Sequence, residues 1–349
     1  MNPPANVNER KAGTDQLHAA LAPLLSRHFG ARRILRLERR ASEYSSSFAL
    51  DELDVSLDDG TLLRLIFKDL GWQALTDSAR DVKPDCLYNP LREIETYQTV
   101  LARSRLGTAT CYGAVVDPRA GQYWLFLERV PGLRLCHVGE FATWQQVASH
   151  LAVLHDRCGR EAGRMRPAQR AHFLRYDRDF YWAWLRRAEE FVGRVASPVP
   201  GDGRRNFERL AGRFGRVVER LAALPATFIH GEYYPSNVLI DESGGVVRVC
   251  PVDWEMAALG PAPMDLAALT AGNWTDEQKT ALALAYHKAL SPGGSRAPLD
   301  DLLVALEYCR LHLAVQLLGW SPEWSPPPEY ARNWLGEALG LADRLGLLS

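Results

Sequence analysis

The sequence predicts an α+β chain in two lobes, a small antiparallel sheet followed by a larger, mainly helical part. Three observations carry this. Five short strand-like segments crowd the first 130 residues, Val130-Pro131-Gly132 breaks the pattern, and helical spacing dominates afterwards apart from one hairpin. The lobes are therefore read as 1–130 and 131–349. A chain of 349 residues, 47% hydrophobic and 24% charged, is long enough to bury a core in each.

Leu17, Leu21, Leu24 and Leu25 recur at helical spacing, so Asp15–Phe29 is expected as a helix with Thr14 as its cap. Strands are expected over 32–39, 46–57 and 61–68, the last two joined by a turn at Asp58-Asp59-Gly60. Residues 70–89 read as a loop or partly ordered insertion. Pro90 then opens a helix reaching Ala102, since proline suits the first helical turn. Two more strands follow, near 108–116 and 122–129. Beyond Gly132, helices are expected at 140–157, 168–195, 203–223, 264–290, 298–319 and 328–346, with loops at 198–203 and 291–295.

The formal net charge of −1 gives no bulk electrostatic case for nucleic acid or an anionic membrane as partner. No apolar run approaches the roughly 20 residues that span a bilayer, and the polar opening has no signal-peptide core. Six scattered cysteines form no CxxC pair, so neither a zinc site nor a disulfide framework is expected. Reduced thiols in a cytoplasm are the simplest expectation. Between Arg157 and Arg220 lie 16 arginines, no lysine and eight acidic residues, most of which are expected on solvated helix faces.

The hairpin is the chemically informative part. Phe228-Ile-His-Gly-Glu-Tyr-Tyr-Pro-Ser-Asn-Val-Leu-Ile240 and Val246-Val-Arg-Val-Cys250 flank a Gly-rich turn, and Val252-Asp253-Trp254-Glu255 follows. Glu232 precedes the first strand, Asn237 opens it and Asp253 follows the second, so two carboxylates and an amide oxygen can gather at one edge. Such hard donors suit Mg²⁺, which keeps some waters and takes few protein ligands.

This arrangement resembles the catalytic core of the aminoglycoside phosphotransferase and choline kinase family, relatives of the protein kinases. The motifs are His230-Gly231-Glu232, Asn237, Asp253 and Pro263-Met-Asp265-Leu-Ala-Ala268. The resemblance implies a two-lobed protein-kinase-like fold and transfer of a phosphoryl group from ATP or GTP, with Mg²⁺, to a hydroxyl of a small molecule. It implies Asn237 and Asp253 as metal ligands, Glu232 as catalytic base, and His230 and Asp265 as braces of the loop. Lys68, ending the third strand, would touch the phosphates, and a glutamate of the helix at Pro90 would orient it. Glu93 is the choice; Glu95, about 200° away on the helix, stays open, since only one faces inward. Backbone groups near Glu128 and Val130 would hold the nucleobase. Arg40–Phe48 would approach the phosphates, although it has no glycine-rich motif.

One position departs from the family pattern, where an aspartate stands in place of Glu232. The added methylene extends the carboxylate by about 1.5 Å, and general-base help is worth about 10²–10⁴-fold. A working site is the main reading. A catalytically weak or inactive nucleotide-binding protein of the same shape is the second. The arginine-rich segment favours a neutral or anionic acceptor over a polycation. Aromatic residues at Tyr176, Phe180–Trp182 and Trp184 are expected mostly in the core, and Gly319–Pro328 reads as an aromatic loop. Oligomeric state is not legible.

Overall fold

Alternating apolar residues between 34 and 69 fold into three consecutive antiparallel strands, β1 (Ile34–Ser45), β2 (Ala49–Leu57) and β3 (Leu62–Asp69). The computed structural model describes residues 12–45, 47–194, 202–290, 298–320 and 332–349. The loops expected at 198–203 and 291–295, the aromatic segment 319–328 and the first eleven residues lie wholly or largely outside the described residues. The chain packs as two compact units, Met1–Arg80 with Ala109–Val130, and Asp81–Thr108 with Pro131–Ser349. The single boundary expected at residue 130 does not include the excursion of 81–108.

In the first unit, β4 (Cys111–Asp117) and β5 (Gln122–Glu128) complete a sheet of order β1-β2-β3-β5-β4. The register pairs Leu53 with Leu65 and Val55 with Leu63, so odd-numbered residues of β2 and β3 share one face. Helix α1 (Thr14–Phe29) lays Leu17, Leu21, Leu24 and Leu25 on that face, against Leu53, Val55, Leu65, Phe67 and Phe126. Its cap is Gly13 rather than Thr14, which lies inside the helix: the Gly13 N–H donates to Gln16 Oε1 at 3.1 Å. Gly113 is required where α1 comes closest, because its φ is 144° and a Cβ there would lie 2.7 Å from Leu24 Cδ2. Lys68 has the opposite parity to this core face, yet it is only 3% exposed.

The segment 70–89 is more ordered than a loop. It contains a 3₁₀ turn at Trp72–Ala74 and the short helix α2 (Asp77–Val82). Asn89 caps α3 (Pro90–Glu95), its Oδ1 accepting from Leu91 N at 3.0 Å. The helix then widens into a π-turn over Thr96–Leu101 and closes as α4 (Ala102–Ser104).

The second unit continues with β6 (Leu133–Arg134), α5 (Phe141–Arg164), α6 (Pro167–Arg170), β7 (Leu174–Arg175), α7 (Arg178–Arg194) and α8 (Gly203–Ala222). The hairpin region gives β8 (Ala226–Ile229), β9 (Val238–Asp241), β10 (Arg248–Pro251) and β11 (Ala258–Pro261). Four helices follow: α9 (Pro263–Leu269), α10 (Asp276–Ala289), α11 (Leu299–Trp320) and α12 (Trp334–Arg344). Two small sheets result, β10-β9-β6 and β7-β11-β8.

Two expected helices are split. The one at 168–195 is broken by β7, whose backbone pairs in parallel with β11. The one at 264–290 stops at Leu269 and restarts because Thr275 caps α10, with reciprocal bonds between Thr275 and Gln278 of 3.0 and 3.2 Å. Gly132 carries β6 past β9: its φ is 127°, and a Cβ would meet Ile240 O at 2.2 Å.

Exposed arginines of the 157–220 segment pair along helix faces, as in Arg160–Asp156 at 2.8 Å and Arg204–Glu208 at 3.3 Å. Helix α11 is long and apolar enough by composition to cross a membrane, which no apolar run was expected to be. Its apolar stretch is 72% buried inside the protein, as befits a central core helix.

Within α11, His312 is fully buried beside Tyr181, with ring centroids 4.7 Å apart. Burial pushes its imidazole down to about 3. The unfolded chain therefore takes up a proton below about pH 6.5 that the native state refuses, so stability falls as pH falls from there toward 3. From pH 6.5 to 5 this contributes a loss of about 2 kcal/mol. Urea midpoints across that range should drop more steeply for the wild type than for His312→Gln; parallel curves would contradict the assignment.

Candidate active site

The loop after β8 is held by one carboxylate. Asp265, in the first turn of α9 and 1% exposed, accepts from His230 N at 2.7 Å through Oδ2 and from Gly231 N at 2.9 Å through Oδ1. His155 of α5 adds a third contact, Nε2 to Asp265 Oδ2 at 3.0 Å, and its other nitrogen lies 2.9 Å from the Tyr286 hydroxyl. Gly231 is obligatory here. Its φ is 85°, and a Cβ would meet the Met256 carbonyl oxygen at 2.2 Å.

His230 is wholly buried, with its ring 4.3 Å from Trp254. Its Nε2 lies 3.0 Å from Val252 O, and its Nδ1 accepts from Glu232 N at 3.3 Å. This pair of partners calls for the neutral tautomer with the proton on Nε2. The histidine thus joins the strand leading to Asp253 with the loop carrying Glu232, the bracing role its position implies.

Asn237 sits at the end of a 3₁₀ turn, Pro235–Asn237, just before β9. Its Nδ2 donates to Glu232 O at 3.0 Å, and its own carbonyl accepts from Val252 N at 2.9 Å. The amide nitrogen is thereby committed to the loop, and Oδ1 is the atom suited to a cation. Asp253, one residue past Val252, has φ 66° and ψ 67°. Left-handed backbone costs a non-glycine residue about 1–3 kcal/mol, which aspartate tolerates better than most. The hairpin thus brings Glu232, Asn237 and Asp253 to one end, and all three are partly exposed.

Among the described residues, no group of three or more His, Cys, Asp or Glu is set to hold a metal. One carboxylate and one amide oxygen are what Asn237 and Asp253 offer. That donor set fits Mg²⁺, which retains waters and takes substrate phosphate oxygens as its other ligands.

Helix α3 supports the Asp253 segment. Glu93 is 1% exposed and its Oε1 accepts from Trp254 N at 3.3 Å, whereas Glu95 turns toward Gln169 Nε2 at 3.1 Å. The inward glutamate is Glu93. Sequence reasoning missed its neighbours. Arg92, 3% exposed, donates to three carbonyls: Leu87 O and Glu255 O at 2.7 Å each and His172 O at 3.0 Å. Burial pushes its guanidinium down to about 10. Lys83 pairs with Glu255 at 2.9 Å, both side chains little exposed. An acidic residue two positions past Asp253 was the only hint in the sequence.

The remaining expected residues belong to the first unit. Lys68 lies on β3, buried and paired with Leu50 and Leu125 across the sheet. Glu128 ends β5, its carboxylate accepting from Thr110 N at 2.9 Å and Thr110 Oγ1 at 3.0 Å; Val130 follows it, 9% exposed. The expected phosphate turn is corrected in part. Arg40–Ser45 continue β1, and Arg40 is engaged by Glu52 at 2.7 Å and Asp54 at 2.5 Å. The connection to β2 is only 46–48, and Ser46 lies outside the described residues.

The model of a phosphotransferase enzyme family, APH, matches residues 92–301. No curated protein matches in sequence. Among solved structures, an aminopropanol kinase associated with a microcompartment is similar at TM-score 0.59 and 16% identity, covering 90% of this chain and 94% of that one. An ethanolamine kinase of Plasmodium vivax gives 0.56 and 12%, covering 98% and 93%. A GDP complex of an aminoglycoside 2'-phosphotransferase gives 0.57 and 12%, covering 95% and 100%. The fold is the protein-kinase-like one of these phosphotransferases.

Removing the loop's anchor tests this account. Asp265→Ala strands two buried backbone N–H groups, which should cost about 3 kcal/mol or more. Chemical denaturation of the variant measures it; a wild-type midpoint would show that the loop is held by other means.

Proposed function

Because this chain belongs to the phosphotransferase enzyme family and is a small-molecule kinase, we propose that it moves the terminal phosphoryl group of ATP or GTP, with Mg²⁺, onto a hydroxyl of a small neutral or anionic molecule. The observation that carries this is the gathering of Glu232, Asn237 and Asp253 at one end of a hairpin whose loop is fixed by Asp265. The GDP in one similar structure supports a nucleoside triphosphate as donor. The arginine-rich segment 157–220 disfavours a polycationic acceptor.

In this mechanism the acceptor oxygen forms a bond to the terminal phosphorus as the bridging oxygen–phosphorus bond breaks, and the nucleoside diphosphate leaves with that oxygen. Glu232 orients the hydroxyl and takes its proton. Asn237 Oδ1 and the Asp253 carboxylate would hold Mg²⁺, which when bound offsets phosphate charge. Lys68 clamps the phosphates, Glu93 orients Lys68, and backbone groups near Glu128 and Val130 hold the base.

Glu232 in the position of an aspartate favours a second reading, a nucleotide-binding protein of this fold that transfers little or no phosphate. Turnover of ATP and GTP against a panel of hydroxylated metabolites separates the two. Asp253→Asn, which suits the left-handed backbone, should lower acceptor-dependent turnover by at least about 10²-fold, and Glu232→Gln by about 10²–10⁴-fold. Unchanged turnover in both variants would reject the assigned roles. Nucleotide binding without turnover on any acceptor, in wild type and Glu232→Asp alike, would favour the second reading.

A further inference from the structure

A cavity of about 560 Å³ lies among the helices of the second unit, walled by the end of α9, the start of α10, α11 and α12. Its size is that of a small-molecule site. Four cations line it: Lys279, Arg310, Arg332 and Arg344. Among the described residues the one carboxylate on the wall is Glu337. Glu307 accepts from two of these cations, Arg310 at 2.5 Å and Arg344 at 3.2 Å. Among the described residues, four positive groups therefore face two carboxylates. Asp276 is 3.6 Å from Lys279 but 96% exposed, so water screens it.

Two buried donors on the wall also lack acceptors among the described residues. Arg310 is 13% exposed; its Nη1 donates to Glu307 and its Nη2 to Thr270 Oγ1 at 3.1 Å, while Nε is buried without a partner among the described residues. The indole Nε1 of Trp334 is likewise buried without one, and Arg332 stacks over that ring at 5.5 Å. Both unsatisfied atoms are donors, both belong to residues of the cavity wall, and neither can accept. Gathered like charges and stranded donors are each unfavourable unless an anion sits among them.

We infer that this cavity is a binding site for a small polyanion, a molecule presenting two or more phosphate or carboxylate oxygens. Arg310 and Trp334 supply buried donors, and Lys279 and Arg332 supply charge nearer solvent. The inference goes beyond the kinase reading and does not need it, because it concerns residues outside the hairpin and is tested by binding, not turnover.

The test is calorimetric titration of the full chain, free of nucleotide and Mg²⁺, with inorganic phosphate, pyrophosphate and citrate at ionic strength held constant with sodium chloride. Saturable binding at one site is expected. Arg332→Ala and Lys279→Met, on the less buried part of the wall, should each weaken it tenfold or more, and Arg310→Met further, with thermal unfolding confirming that each variant is folded. Asp253→Asn should bind as wild type does. Tighter binding of the phosphates or of citrate identifies the ligand's anionic group, and either supports the site. Absence of saturable binding, affinity unchanged in Arg332→Ala and Lys279→Met, or binding lost in Asp253→Asn instead would overturn it.

Discussion

The second unit turns on the carboxylate of Asp265. Two consecutive backbone N–H groups, of His230 and Gly231, point at its two oxygens, and His155 Nε2 also reaches Oδ2. A buried carboxylate is stable only when its lone pairs are met, and N–H groups in a tight loop are stable only when they have acceptors. Each requirement answers the other. The exchange fixes where Glu232 starts, and through His230 and Val252 it also fixes where Asp253 starts. Residues about 20 apart in sequence thereby take positions from one anchor.

A second layer of constraint comes from α3. Arg92 and Glu93 are adjacent, both buried, and both bond to the backbone of the Trp254–Glu255 turn, one as donor and one as acceptor. Arg92 donates to three carbonyl dipoles, and the Glu255 charge lies near enough to favour its charged form. A guanidinium suits this place because its planar fork can meet several carbonyls at once. Lys83 and Glu255 add one buried ion pair in the same region. The excursion 81–108 packs with the second unit because its polar side chains reach these backbone groups.

Much of this was legible in the residues. The five strands, the long helices and the hairpin carry their periodicity openly, and His230-Gly231-Glu232, Asn237 and Asp253 stand at spacings that topology alone brings together. The inward choice of Glu93 over Glu95 was not legible, since helical geometry says only that they differ. What escaped altogether were tertiary contacts with no local signature. Arg92 looks like any helix-surface arginine until three carbonyls are found around it. The short strand β7 is too brief to show alternation and exists because β11 lies beside it. The breaks near Thr270 and at the π-turn likewise reflect packing and capping more than propensity.

Gly231 shows how narrow the tolerance of such a loop is. The obstacle to any side chain there is the main-chain oxygen of Met256, and a peptide oxygen cannot be traded for a smaller group by altering a neighbour. Compensation by a second change, the usual route by which sequences diverge around a fixed fold, is closed at this site. In a saturation library, position 231 should stand out as an isolated column of intolerance beside flanking residues that vary more freely.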